Sequence, residues 1–348
     1  MFERPGELIA SLAAVQAQDP AAARWAVGLR LRGRGGAAAR AALIERALAD
    51  GTIIRTHVMR WTWQLVAPAD LGWMLRLVTA RLMARAARRH RELELDAATF
   101  RRSHAALARA LTGGAHRTRA ELGAALRAAG VSPEGARLSH LLGHAELHGL
   151  ICSGAPRGKQ ATYARVDERA PRGTPRTREE ALAALARRYF ESRGPATAAD
   201  FTWWSGLAPA EARAGLAAIA GDLASERVGG AVYWCAARVA RLPDAALARA
   251  YLLPAFDEYL VAYRDRAAVL APEDARRLNA GGGMLSPAVV LGGRVAGTWR
   301  RTFERRGAVT IALAPFAAPD RRARDAIAEA AERYAAFLEL EPRLVWAR

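Results

Sequence analysis

Two glutamines flank an alanine at Gln16-Ala17-Gln18, and Asp19 follows directly. A carboxamide takes no proton at neutral pH, but its oxygen accepts a hydrogen bond from water and its NH2 donates to phosphate or sugar oxygens. Such a pair can hold a water and orient a polar ligand, so any catalysis by it works through positioning and electrostatics. Asp19 is the one carboxylate beside the pair. It can either stabilise a developing positive charge or cap the helix that begins after it. As a bare pattern, the tripeptide identifies no activity.

Other residues with chemical potential are more scattered. His140, His144 and His148 are spaced i, i+4, i+8 and fall on one face of a helical segment. Two of them have metal-ligand spacing, but Glu146 is the only acidic residue near them and no cysteine joins them. Packing or ligand contacts therefore outweigh a metal, and none is expected. His57 lies near Arg55 and Arg60 in a β-rich segment. It reads as a phosphate contact or as a buried, hydrogen-bonded histidine. Alternation along a continuous strand would put His57 and Arg60 on opposite faces. Arg157-Gly158-Lys159-Gln160 is a basic turn suited to phosphate or simply solvated. Arg300, Arg301, Arg305 and Arg306 flank Trp299 in a hairpin that can track a charged backbone. Trp203-Trp204 and Phe256-Asp257-Glu258-Tyr259 read as structural, with core aromatics and acids in buried ion pairs or caps. No glycine-rich phosphate loop and no Ser-His-Asp set is present, so no cofactor is expected. Cys152 and Cys235 stand far apart and suggest neither a disulfide framework nor a zinc site.

The 348 residues carry 52 basic against 34 acidic side chains, a formal charge of +18, and Lys159 is the only lysine. Coding bias explains arginine over lysine but not basic over acidic. The surplus points to a polyanionic partner, for which the arginine fork is well shaped. A membrane surface is disfavoured because no basic amphipathic helix has a bulky apolar face. The first residues lack a leader pattern and no apolar run reaches membrane-spanning length, so the expected location is the cytoplasm.

The elements that must position these residues follow from periodicity. Residues 6–18, 21–33 and 37–51 read as three helices, and the 52–67 stretch as β-ribbon rich in β-branched and aromatic residues. A long arginine-rich helix starts at Pro68. The same helix–helix–helix–ribbon order recurs over 96–170 and again over 178–245, separated by a Pro- and Arg-rich linker. This is the order of a winged helix. Residues 246–348 are strand-rich with a Gly292-Gly293 turn and a terminal amphipathic helix. The predicted fold is α+β and mainly helical: three tandem winged-helix units (1–95 with its linker helix, 96–170, 178–245), then a small β-barrel closed by a helix (246–348).

Five segments in order, VQAQD (15–19), IRTHVMRWTWQLV (54–66), PATAADFTWWSGL (195–207), LLPAFDEYLVAYRDR (252–266) and GGRVAGTWRR (292–301), resemble the winged-helix DNA glycosylases of the AlkZ and YcaQ type. The resemblance covers nearly the whole chain. It implies three winged helices and a barrel clamped around duplex DNA, and hydrolysis of the glycosidic bond of N7-alkylated guanine. It also implies a Gln-x-Gln catalytic motif, which Gln16 and Gln18 fit, without metal or cofactor. Asp19 is a secondary catalytic candidate. Relatives read close to MRGTLH where this chain has Met59-Arg60-Trp61-Thr62-Trp63-Gln64, so Trp61 replaces a glycine and Gln64 a histidine.

An N7-alkylguanine is already cationic and leaves without a general acid. N7 projects into the major groove, whereas C1′ is more accessible from the minor-groove side, so a bulky adduct can stay outside without full base flipping. His57, Arg60, Trp61, Gln64, Arg157, Lys159, Arg300 and Arg301 are the expected DNA contacts. The expected enzyme is a monomeric, monofunctional glycosylase for DNA repair or self-resistance, acting on double-stranded DNA with alkylated bases, including bulky adducts or crosslinks. The competing reading is a DNA-binding protein without catalysis, a regulator or lesion-binding shield, which would bind tightly and salt-sensitively yet leave no abasic product.

Overall fold

A computed structural model describes residues 2–33, 35–170, 173–238, 244–281, 284–305 and 307–347. The first segment runs α1 (Pro5–Leu12), β1 (Ala14–Gln16), α2 (Pro20–Arg30), α3 (Gly36–Asp50), β2 (Ile54–His57), a 3-10 turn (Met59–Trp61) and β3 (Trp63–Val66). Its three strands form an antiparallel sheet in the order β1-β3-β2. α4 (Pro68–Glu92) leads to the next segment: α5 (Ala97–Leu111), β4 (Arg117–Thr118), α6 (Arg119–Ala128), α7 (Arg137–Leu147), β5 (Ile151–Ser153), β6 (Thr162–Arg165) and the short α8 (Val166–Arg169). The sheet there has the matching order β4-β6-β5.

The third segment has α9 (Arg178–Arg193), α10 (Ala198–Ser205), α11 (Pro209–Ala217), β7 (Leu223–Val228) and β8 (Ala231–Ala236). Ala196 bridges Trp234 of β8, which reproduces the same strand order with its first strand reduced to one residue. Helix starts are fixed by side-chain caps at Asp19, Asp96, Thr118, Thr177 and Thr197, and α3 stops at left-handed Gly51.

The last segment comprises α12 (Asp244–Leu247), β9 (Ala250–Leu253), α13 (Glu258–Val261), α14 (Ala275–Leu278), β10 (Asn279–Gly281), β11 (Met284–Leu285), β12 (Ala288–Leu291), β13 (Arg294–Phe303), β14 (Ala308–Pro315), α15 (Arg321–Phe337) and β15 (Glu341–Trp346). Five strands form one sheet, β15-β14-β13-β12-β9, with β15 parallel to β14 and the other pairs antiparallel. Among the described residues no pairing joins β15 to β9, so the sheet is open and the expected closed barrel is absent. The return of the chain through α15 explains this: a helix crossover delivers β15 parallel to β14 at one edge, and α15 itself covers the sheet.

The first segment belongs to two cores at once. Ile54, Val58, Met59 and Val66 pack with α4 and the third segment. Leu8, Ile9, Val15, Ile44 and Leu65 pack with α15 and the five-stranded sheet. β1 lies on the seam between them.

Candidate active site

Helix propensity in the alanine-rich start of the chain suggests that Gln16 and Gln18 end a helix. They do not. The helix stops at Leu12, Ala13 turns at φ +62°, and β1 pairs with β3 in the register Ala14↔Val66, Val15↔Leu65, Gln16↔Gln64. The hydrophobic and small residues Leu12, Ala13, Ala14, Val15 and Ala17 satisfy either period, and the ladder with β3 decides between them.

Gln16 is buried and Gln18 exposed. The Gln16 backbone N–H donates to Glu258 Oε1 at 2.9 Å, and its side-chain Oε1 accepts from Arg60 Nη2 at 2.9 Å. Gln18 Oε1 accepts from the Trp63 backbone N–H at 2.6 Å. Both partners of the side chains can only donate, which settles the orientation of each amide. Each oxygen retains a second acceptor position, and neither NH2 has a protein partner among the described residues.

Behind Gln16 stands a buried ion pair. Glu258 Oε2 accepts from Arg193 Nη2 at 2.7 Å, Arg193 Nε at 3.0 Å and Trp204 Nε1 at 2.9 Å. Arg193 also donates to the carbonyls of Leu12 and Ala14, and its guanidinium lies 4.4 Å from the Trp204 ring centroid. One carboxylate thus ties the end of α1 and β1 to α9, α10 and α13. The acidic pair at 257–258 was expected in ion pairs or caps. Asp257 does pair with Arg30 at 2.7 Å and caps α13, but the link from Glu258 to Gln16 has no sequence signal beyond two adjacent acids in an arginine-rich chain.

The 54–66 segment is not one strand. Arg60 and Trp61 adopt left-handed backbone, φ +57° and +59°, and turn β2 into β3. No glycine or proline marks this turn, so alternation alone reads through it. The turn aims Arg60 at Gln16, with its Cγ so close to Gly206 that a Cβ there would sit 2.8 Å away. Desolvation holds the Arg60 guanidinium below its ordinary value, partly offset by attraction to Glu258, and its Nε is buried without a partner.

The remaining expected contacts divide. Asp19 Oδ1 accepts from the N–H groups of Ala21 and Ala22 and so caps α2, while Oδ2 lies 3.5 Å from Arg301. Arg301 also donates to the Tyr334 hydroxyl. His57 is buried with Nδ1 2.5 Å from Glu146 Oε2, so it does not face solvent as a phosphate contact. Burial pushes the Glu146 carboxyl up, opposed by His57. Gln64 is buried too, donating to Thr62 Oγ1, with its Oε1 and the facing Thr56 Oγ1 both unpartnered. Trp61 packs against Gly143 and the rings of His90 and His140 rather than outward. Arg157 is exposed but paired with Glu121. Lys159 and Arg300 are exposed with no protein partner among the described residues. Arg306 lies outside the described residues.

The sequence profile of the family described as DNA glycosylase AlkZ-like matches residues 9–337. The chain belongs to the AlkZ-like DNA glycosylase family. Its members hydrolyse N-glycosidic bonds, so DNA is the substrate and the protein is a repair-type hydrolase. Among curated protein sequences none matches this chain. Among solved structures, Streptomyces sahachiroi DNA glycosylase AlkZ is similar in fold, with a TM-score of 0.73 at 23% identity, covering 99% of this chain and 94% of that one. Among the described residues no helix of this family member is long and apolar enough to cross a membrane.

Proposed function

We propose that this AlkZ-like glycosylase hydrolyses N7-alkylated guanine from duplex DNA through Gln16 and Gln18. The observation that carries this is the anchoring of both carboxamide oxygens by fixed donors, Arg60 and the Trp63 N–H, at the seam of two cores. Pre-set dipoles of this kind pay no reorganisation at the moment of reaction. In the reaction, water oxygen bonds to C1′ as the C1′–N9 bond breaks, and the electron pair neutralises the cationic ring. The carboxamides hold the water, and its proton leaves to solvent. A monofunctional activity fits this site, because Lys159, the one lysine, contacts neither glutamine among the described residues.

The thrice-repeated order of helix, strand, two helices and hairpin supports reading residues 1–95, 96–170 and 178–245 as winged-helix units, with 246–348 as a fourth unit. A groove of about 770 Å³ between the first two sheets is lined by Arg46, Arg55, Trp63, Lys159 and Gln160. It offers a track for one DNA backbone. Arg300 and the exposed Phe303 on β13 offer a second contact. A monomer acting in the cytoplasm suffices for this reading, and a bulky adduct or crosslink in the major groove is compatible with attack from the opposite side.

The test is base release from a duplex carrying a single N7-methylguanine. Wild-type protein should produce abasic sites, and the Gln16→Ala/Gln18→Ala protein should lose at least about 100-fold in rate. Undiminished release from that double variant would sink the assignment.

A further inference from the structure

Of the three histidines along α7, His140 stands apart from the other two. His140 turns its ring towards Trp61 and His90. His104, from α5, takes its place beside His144 and His148. One ring nitrogen from each of these three lies within 4.8 Å of one from each of the others. We propose that His104, His144 and His148 form a binding site for a divalent late transition-metal ion of the zinc class, joining α5 to the end of α7.

Three features beyond proximity favour a ligand set. His104 Nε2 and His144 Nδ1 are 2.9 Å apart, and two nitrogens on a tetrahedral zinc stand about 3.3 Å apart. An ion can replace the proton these rings share once the two rings turn so that their nitrogens converge on one point. His148 Nδ1 donates to the His144 carbonyl at 2.8 Å, which leaves Nε2 as its lone-pair nitrogen. A ring N–H given to a backbone carbonyl is the usual support for a metal-ligating histidine. Phe100 stacks on His144 at 3.6 Å and 11°, locking that ring. His148 stacks on the other side of the cluster against His144 at 4.0 Å and is itself exposed, so its ring can tilt to bring Nε2 towards an ion. Among the described residues no carboxylate or thiol joins the three. An all-imidazole set selects zinc, copper or nickel over magnesium or calcium. The exposed side at His148 leaves room for water as a fourth ligand.

The site is separate from the glutamine pair and does not depend on the proposed reaction. The test uses tag-free, full-length protein dialysed against chelator. Calorimetric titration with Zn2+ should show one saturable site, and Co2+ should give visible absorption bands of a nitrogen-coordinated ion. His104→Ala and His148→Ala should each weaken Zn2+ binding by at least about tenfold, while His116→Ala, outside the cluster, should not. His148 is exposed, so His148→Ala keeps its circular dichroism spectrum. Zn2+ should raise the melting temperature of wild-type protein but not of the two variants. Absence of saturable binding, or binding unchanged in both variants, overturns the proposal.

Discussion

At the scale of single residues, Gln16 is useful only because other groups hold it. Arg60 donates to its carboxamide oxygen and Glu258 accepts from its backbone N–H, so in the proposed reaction the amide is already oriented for a water. Arg60→Ala should therefore reduce the rate of base release about 10–100-fold, the range typical of partners that orient a reacting group. The substitution should leave binding of undamaged duplex within a few-fold, as a gel-shift titration at fixed salt would show. Asp19 presents the opposite case. Its Oδ1 is engaged by the cap of α2 and its Oδ2 by Arg301. Asparagine caps as well as aspartate, so Asp19→Asn should keep both melting temperature and activity within a few-fold. Asp19→Ala should lose about 1 kcal/mol of stability. A large activity loss in the asparagine variant, measured in the same base-release assay, would assign the carboxylate a part in the chemistry.

At the scale of elements, the decisive piece is the turn between β2 and β3. Two consecutive bulky residues in left-handed backbone cost about 1–2 kcal/mol each. Trp61 offsets this by packing on Gly143, where a Cβ would come within 3.0 Å of its indole nitrogen. The indole thereby couples the turn to α7. It also closes a cavity of about 130 Å³ lined by His57, Trp63, His140, Glu146 and Tyr163. Glu258 couples elements in the same way. Glu258→Ala leaves the Arg193 guanidinium buried and unpaired, and should destabilise the fold by about 3–5 kcal/mol in denaturant titration. The mixed helix-and-strand content was legible from periodicity, and so were most helix boundaries. The strand β1 and the turn at 59–61 were not. Alanine-rich sequence favours helix locally, and only the pairing partner 48 to 52 residues later makes 14–16 a strand.

At the scale of the whole molecule, the charge of +18 and the proposed DNA track in the groove between the first two sheets call for a salt-dependent affinity. Affinity for undamaged duplex should fall linearly in log–log form with salt, by roughly 10³-fold or more between 50 and 200 mM if six or more phosphates are neutralised. A flat dependence, read by fluorescence anisotropy, would remove the groove from the binding surface. The expected barrel illustrates why architecture is harder to read than content. Strand number and hairpin turns were visible in 246–348, but closure depends on which edge the last strand joins. That edge is chosen by the crossover through α15.

The sequence alone determined what this protein has to work with: a basic chain, helices and short strands in a repeated order, a Gln-x-Gln pair, and five segments in the family's order. Those depend on residue type and local spacing, which a linear string preserves. The tertiary structure decided what each residue does. It put Gln16 on a strand, gave its oxygen to Arg60 and its N–H to Glu258, sent His57 and Gln64 inward, and replaced His140 by His104 in the histidine cluster. These outcomes join positions 40 to 242 residues apart, and long-range contacts are settled by packing and burial, which no local pattern records.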